Sequence, residues 1–287
     1  MKLSQLFIGL VVGSACFSSF VYANDDYFYR AYQDFAISSA AGTPWNATKQ
    51  VQLVQKAKDF GSQMITRFPQ KSYPINEVDL EAVFQENQSS TIPFFAYSSM
   101  IDIQSGAAKA ISPEAASTQT PAVAFGIQRT FNREMPAATV EGGWGKLKRS
   151  NDLAILNVFE KEDAVLNGVV FQLPLSDLMI LSKREVGYDL IPVVVTKWSD
   201  ACDDQKEPEM FIAYTFRAPN PSTEGSSYTS AHINPIPGYF NYLQIGLQLQ
   251  GDDFKAMWWA TTYLADQKTL VTSLPYQDVD LNAVEEK

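Results

Sequence analysis

The hydrophobic period changes once along this chain, near residue 92, and that change limits the fold more than any other feature. Before it, apolar residues recur at helical spacing. Tyr27, Tyr29, Ala31, Tyr32 and Phe35 form one cluster; after the Gly42-Thr43-Pro44 break, Val51, Val54, Ala57, Gly61, Met64, Ile65 and Phe68 follow at steps of three and four. The pattern predicts a helical hairpin closed by Pro69 and Pro74, then a short helix over 78–84 and a polar stretch over 85–90. After residue 92, six runs rich in Val, Ile, Phe and Tyr are bounded by Gly, Pro or charged turns. They read as strands over 92–97, 122–131, 152–159, 166–173, 188–198 and 210–216. Helices are expected over 175–184, 237–250 and 252–265. Strands with a few inserted helices define an α+β (mixed) domain over 91–268, large enough to bury its own core. A helical extension over 24–90 precedes it, and a polar tail over 269–287 follows.

The first 23 residues read as a removable leader. Lys2 opens a short basic region, 6–12 is apolar, and Val21-Tyr22-Ala23 fits a small-residue cleavage site. Removal leaves 264 of the 287 residues and takes the formal charge from −10 to −11, since one lysine departs. A competing reading keeps Cys16, in Gly13-Ser14-Ala15-Cys16, as a lipid-attachment site. Glycine where a large aliphatic is expected, and the apolar stretch over 17–22, weigh against it. The expected address is therefore periplasmic or secreted. No other apolar run approaches the roughly 20 residues that span a bilayer, so no membrane span is expected in the processed chain.

Composition narrows the chemistry further. An acidic chain lacks the basic footprint of a nucleic-acid binder. His232 is the single histidine, so a two-histidine metal motif cannot be written and a Ser-His-Asp arrangement would have to use it. No G-x-S-x-G, P-loop or G-x-G-x-x-G pattern occurs. With Cys16 removed, Cys202 has no intramolecular disulfide partner. Any catalysis is left to carboxylates and backbone amides.

Three ordered segments carry a resemblance. Phe95-Ala96-Tyr97-Ser98-Ser99-Met100 is similar to an F-A-Y-G-S-N loop after a first strand. Leu166-Asn167-Gly168-Val169-Val170-Phe171 is a strand with a characteristic glycine, followed after a helix by Glu185-Val186-Gly187-Tyr188, a loosened E-G-x-Y. Pro237-Gly238-Tyr239 with Ile245-Gly246-Leu247 is similar to a closing P-x-x-Y helix with an internal glycine. Together they resemble the γ-glutamylcyclotransferase-like family over about residues 92–264, most of the processed chain. The resemblance implies a β-barrel or mixed sheet with flanking helices. It also implies that the α-amino group of a γ-glutamyl amide or dipeptide attacks its own γ-carbonyl, leaving 5-oxoproline and a free amine or amino acid. By the same resemblance Glu185 is the general base and later acid, and Tyr97, Ser98, Ser99 and Met100 form the substrate cradle. Tyr239, at the start of the closing helix, can donate a hydrogen bond to substrate or pack as an aromatic against the sheet. No metal or cofactor is called for. Ser98 and Met100 depart from the glycine and asparagine of the pattern, which keeps open a different class: an exported binding module with the same fold and no catalysis, whose N-terminal helices dock a protein partner.

Other candidates are read from the residues alone. Glu185 follows the end of the 175–184 helix, where the helix dipole raises its proton affinity; without the resemblance it reads as a solvated glutamate at a helix end. Arg129 and Arg133 flank Phe131, and Lys146, Lys148 and Arg149 lie in the next loop. Either set can meet a substrate carboxylate or form a solvated basic rim. Asp200, Asp203 and Asp204 surround Cys202 without calcium-loop spacing and read as an exposed acidic loop. They make Cys202 a poor nucleophile. His232, beside Asn234-Pro235, reads as a loop residue.

Overall fold

A computed structural model of the chain describes residues 44–64, 73–74, 77–103, 108–185, 187–219 and 228–273. The leader and the first helix of the expected hairpin lie outside these residues. The first described element is α1 (Gln50–Met64), whose opening turn is held by the Asn46 carboxamide oxygen accepting the Lys49 N–H at 3.0 Å. Leu53 and Ala57, four apart, are its buried stripe. Val51, expected on the apolar face, is 77% exposed, because a helix lying on one surface buries only one stripe.

The strand β1 (Tyr73–Pro74) is a two-residue edge, and α2 (Glu77–Asn87) runs past its expected end into the polar stretch. Its Leu80, Val83 and Phe84 are buried at i, i+3 and i+4. The strand β2 (Thr91–Ala96) leads into a 3-10 turn, Ser99–Ile101. The short helix α3 (Pro113–Ala116) is capped by the Ser112 hydroxyl, which accepts the Ala115 N–H. Next come β3 (Thr120–Glu134), α4 (Ala137–Gly143), β4 (Ala154–Pro174), α5 (Leu175–Ser182), β5 (Asp189–Lys197), α6 (Trp198–Cys202) and β6 (Phe211–Arg217). The chain ends with α7 (Pro237–Gln250), α8 (Asp252–Ala260) and β7 (Thr262–Leu264), then a 3-10 turn, Val271–Ser273.

Strands β2, β4, β3, β5 and β6 pair in that order, and β6 returns to β2, so the sheet closes into a five-stranded barrel. Closure removes the free edges that an open sheet would present. The mixed α+β class is met, with β1 added on β5 and β7 running parallel on the outer half of β3.

Two expectations change. The strands read over 152–159 and 166–173 are one 21-residue strand, β4. The charged residues 160–163, which resemble a turn, stay extended and exposed where the β3–β4 register shifts between Phe125 and Ile127. The last helix stops at Ala260 rather than 265, because Thr262, Tyr263 and Leu264 pair with Arg129, Thr130 and Phe131.

Phe95, Phe131, Phe171, Tyr214, Trp198, Trp258, Phe240 and Phe254 are fully buried, and the last four rings close the core between barrel and C-terminal helices. Burying each such side chain contributes about 1.5–3 kcal/mol. Arg129 lies among them with no exposure, against its reading as part of a basic rim. Its guanidinium donates to Thr262 and Thr261 hydroxyls, to the Asn167 side chain and carbonyl, and to the Tyr97 and Trp258 carbonyls. The cation also lies 4.7 Å over the Trp258 ring. It ties β3, β4, α8 and β7 to the residue that opens the turn after β2.

Candidate active site

A cavity of about 830 Å³ opens where β2 ends. Its walls come from separate elements: Phe94 to Ala96 on β2, Arg133 and Glu134 at the end of β3, Ile155 and Leu156 at the start of β4, and Thr215 and Phe216 on β6. Glu185, Tyr97, Ser98, Ser99, Met100 and Tyr239, the six residues named from the sequence, all line this one space. They are brought there by the closed barrel, since β2 carries the turn, α5 delivers Glu185 and α7 presents Tyr239.

The turn is built from Ser98 onward. Ile101 N–H donates to the Ser98 carbonyl at 3.0 Å and Asp102 N–H to the Ser99 carbonyl at 3.2 Å, giving one tight 3-10 turn. Ser98 has φ −125°, so the turn needs no glycine at that position. Met100 is buried and holds the turn by packing. Gly246 of α7 lies against the other side: a Cβ there would come 2.6 Å from the Asp102 nitrogen, so the helix can approach the turn only without a side chain.

Glu185 follows α5, with its N–H donating to the Leu181 and Ser182 carbonyls. It is therefore at the negative end of a helix, partly buried, and reached from the cavity. Burial pushes its carboxyl from 4.5 to about 7, and the charges of Arg184 and Arg133 pull part of that back. Gly187 makes the next bend at φ +81°, and a Cβ there would meet the Tyr228 ring at 2.9 Å. Two constraints thus select glycine where Glu185 is aimed.

Around Glu185 stand three phenols. Tyr239 is hydrogen-bonded to the Ser98 side chain and to the backbone of Ser99 and Leu156, which fixes α7 to the turn. Tyr97 donates to the Phe216 carbonyl at 2.9 Å, and Tyr188 to the Leu156 carbonyl at 3.4 Å. Burial holds all three well above the usual tyrosine range, so they are neutral donors at neutral pH. Arg133 lies 5.3 Å over Tyr188 and 4.6 Å over Tyr228, and donates to the Glu134 and Tyr228 carbonyls. A carboxyl poised near neutrality, a tight backbone turn and fixed phenol donors can take one proton and stabilise one oxyanion.

Of the weaker sequence candidates, only Arg133 reaches the cavity. Arg129 is core, and Lys146, Lys148 and Arg149 are exposed in the loop before β4. Asp200, read as part of an exposed acidic loop, is instead buried and paired with Lys206 at 2.6 Å. Among the described residues no group of three or more His, Cys, Asp and Glu side chains converges as a metal site. Cys202 is half-buried, and burial raises its thiol to about 11, leaving it a poor nucleophile. His232 is exposed in its loop. Tyr188, which closes the Glu185-Val186-Gly187-Tyr188 segment, lines the cavity beyond the six residues expected from the sequence. Trp144, Tyr228 and Tyr242 carried no sequence signal beyond being aromatic. Among the described residues no helix is long and apolar enough to cross a membrane.

No protein-family model matches the sequence, and no curated protein matches it. Solved structures are similar in part. YkqA from Bacillus subtilis is 20% identical with a TM-score of 0.40, over 60% of this chain and 54% of its own, so the match spans about half of that protein. The uncharacterized protein loc79017 from Homo sapiens is 16% identical with a TM-score of 0.37, over 59% of this chain and 85% of its own. A γ-glutamyl cyclotransferase is 18% identical with a TM-score of 0.38, over 58% and 84%.

Proposed function

We propose that this is an exported γ-glutamylcyclotransferase-like enzyme that cyclises a γ-glutamyl amide or dipeptide to 5-oxoproline. One observation carries the reading: the carboxyl of Glu185, raised to about 7, shares a cavity with the Tyr97 to Met100 turn and Tyr239, the segments whose order suggested the family. The substrate's α-amino nitrogen attacks its γ-carbonyl carbon, forming the ring C–N bond as Glu185 takes the amine proton. Negative charge gathers on the former carbonyl oxygen, near the turn and the Tyr239 phenol. The original amide C–N bond then breaks, and Glu185 returns the proton to the departing nitrogen. Nucleophile and electrophile belong to one molecule, so holding the folded substrate replaces much of the usual catalytic apparatus.

The test is incubation with a panel of γ-glutamyl dipeptides and γ-glutamyl amines, following 5-oxoproline. Glu185→Gln is expected to lower its formation by about 10²–10⁴-fold, the usual contribution of a general acid–base group. Equal formation by both proteins excludes Glu185 as base; none by wild type on any member leaves the binding-module reading. The exported address has its own check. The protein recovered from a periplasmic or extracellular fraction is expected to begin at Asn24; an intact Met1 start in all fractions removes that part of the reading.

A further inference from the structure

The cavity is larger than a glutamyl group needs, and its surplus is aromatic. At about 830 Å³ it lies in the upper part of the range of roughly 300–1,000 Å³ typical of pockets for drug-sized ligands. Of its polar groups, Glu185, Ser98, Ser99 and the Tyr239 hydroxyl belong to the reacting end. The remaining wall includes Met135, Trp144, Tyr228 and Tyr242, which line the cavity without being fully buried. Partly wet aromatics converging on one concave surface offer area that a ligand gains by covering.

Two of these rings are fixed. Trp144, which ends α4, meets the Tyr239 ring edge to face with centroids 5.6 Å apart, so the aromatic wall starts beside the reacting end. Tyr228 is 39% exposed, is covered on one face by Arg133 at 4.6 Å, and is crowded by Gly187. Pre-set rings bind an apolar group without a large ordering cost. The cavity also carries two guanidinium side chains, Arg133 and Arg184, in a chain of net charge −10. Guanidinium groups match the carboxylate that a departing amino acid would carry.

We infer that the departing half of the substrate is a bulky amino acid with an aromatic side chain, so that the substrate class is γ-glutamyl conjugates of Phe, Tyr or Trp. The inference rests on the cyclisation reading above. The side chain lies against Trp144, Tyr228, Tyr242 and Met135, while the carboxylate faces Arg133 and Arg184.

The experiment compares γ-glutamyl-phenylalanine with γ-glutamyl-alanine. In wild type, kcat/KM is expected to favour the aromatic dipeptide by about tenfold or more, the discrimination that a difference of several apolar carbons supports. Trp144→Ala and Tyr228→Ala are each expected to reduce that ratio severalfold. A ratio measured within one protein does not depend on the fraction folded, so a destabilised variant still reports. Turnover of both dipeptides at equal rates, or faster turnover of the alanine one, overturns the inference. A preference unchanged in both variants overturns it too. If neither dipeptide turns over, calorimetry of both with wild type separates the two ideas. Tighter binding of the aromatic dipeptide keeps the aromatic pocket and sinks the cyclisation reading, whereas equal binding sinks both.

Discussion

Arg129 and Glu185 are both ionisable groups drawn away from bulk water in the same domain, and the fold treats them in opposite ways. Every bond from the buried Arg129 guanidinium ends on a fixed acceptor, from Tyr97 in the turn to Thr262 on β7, and an indole ring covers it. The carboxylate of Glu185 accepts no hydrogen bond from the described residues and borders an 830 Å³ cavity. A charge whose partners are all supplied is part of the scaffold. A charge left for the cavity to satisfy, with its proton affinity moved to neutrality, is available for chemistry. Tyr97 joins the two: its carbonyl accepts from Arg129 and its ring faces the cavity.

The largest effect expected from this contrast is on stability. Arg129→Met leaves the carbonyls of Tyr97, Asn167 and Trp258 without that donor and is expected to lose about 3–5 kcal/mol in urea denaturation, the range for breaking one side of a buried charged network. Glu185→Gln at pH 8 is expected to lose nothing or to gain, because it removes a charge that burial disfavours more than Arg184 and Arg133 compensate. Similar losses in both variants would break the contrast. Smaller in size but sharper in form is the pH dependence. The Glu185 carboxyl titrates at about 7 in the folded protein against an ordinary 4.5. The folded state therefore holds that proton more tightly, so its contribution to stability is complete below 4.5 and is lost as pH rises through about 7. On the proposed cyclisation, activity runs the other way, since Glu185 acting as base must be ionised: kcat/KM is expected to rise with pH through about 7. Stability curves of wild type and Glu185→Gln that stay parallel from pH 4 to 8 would show that this carboxyl is ordinary. The smallest effect is expected for Tyr239→Phe, which removes the hydrogen bonds to Ser98, Ser99 and Leu156. It should cost about 1 kcal/mol and about tenfold in 5-oxoproline formation. An unchanged rate in a stably folded variant would make Tyr239 a packing residue.

Much of the barrel is legible in residue order. Val, Ile, Phe and Tyr runs bounded by turn residues place β2, β5 and β6 within a residue or two of where they occur, and Pro237 marks the start of α7. The long β4 is not legible, because 160–163 carry the charges of a turn while the backbone only bends there. The difference between Arg129 and Arg133 is not legible either. Four apart on one strand, they should share a face; the register shift between Thr130 and Arg133 sends one into the core and the other to the cavity. No local pattern encodes a shift that depends on the partner strand.

The site divides along the same line. Sequence alone supplied the candidate groups: a glutamate after a helix, a turn after a strand, a tyrosine at a helix start, and almost no histidine or cysteine to compete. These are local properties, set by residue type and near neighbours. Closure of β2, β4, β3, β5 and β6 decided that Glu185, the turn and Tyr239 share one space, although up to 142 positions separate them. It also decided that Trp144 and Tyr228 stand over that space and that burial moves the Glu185 proton to neutrality. Convergence and desolvation arise from what distant segments place around a residue, and they exist only once the chain has folded.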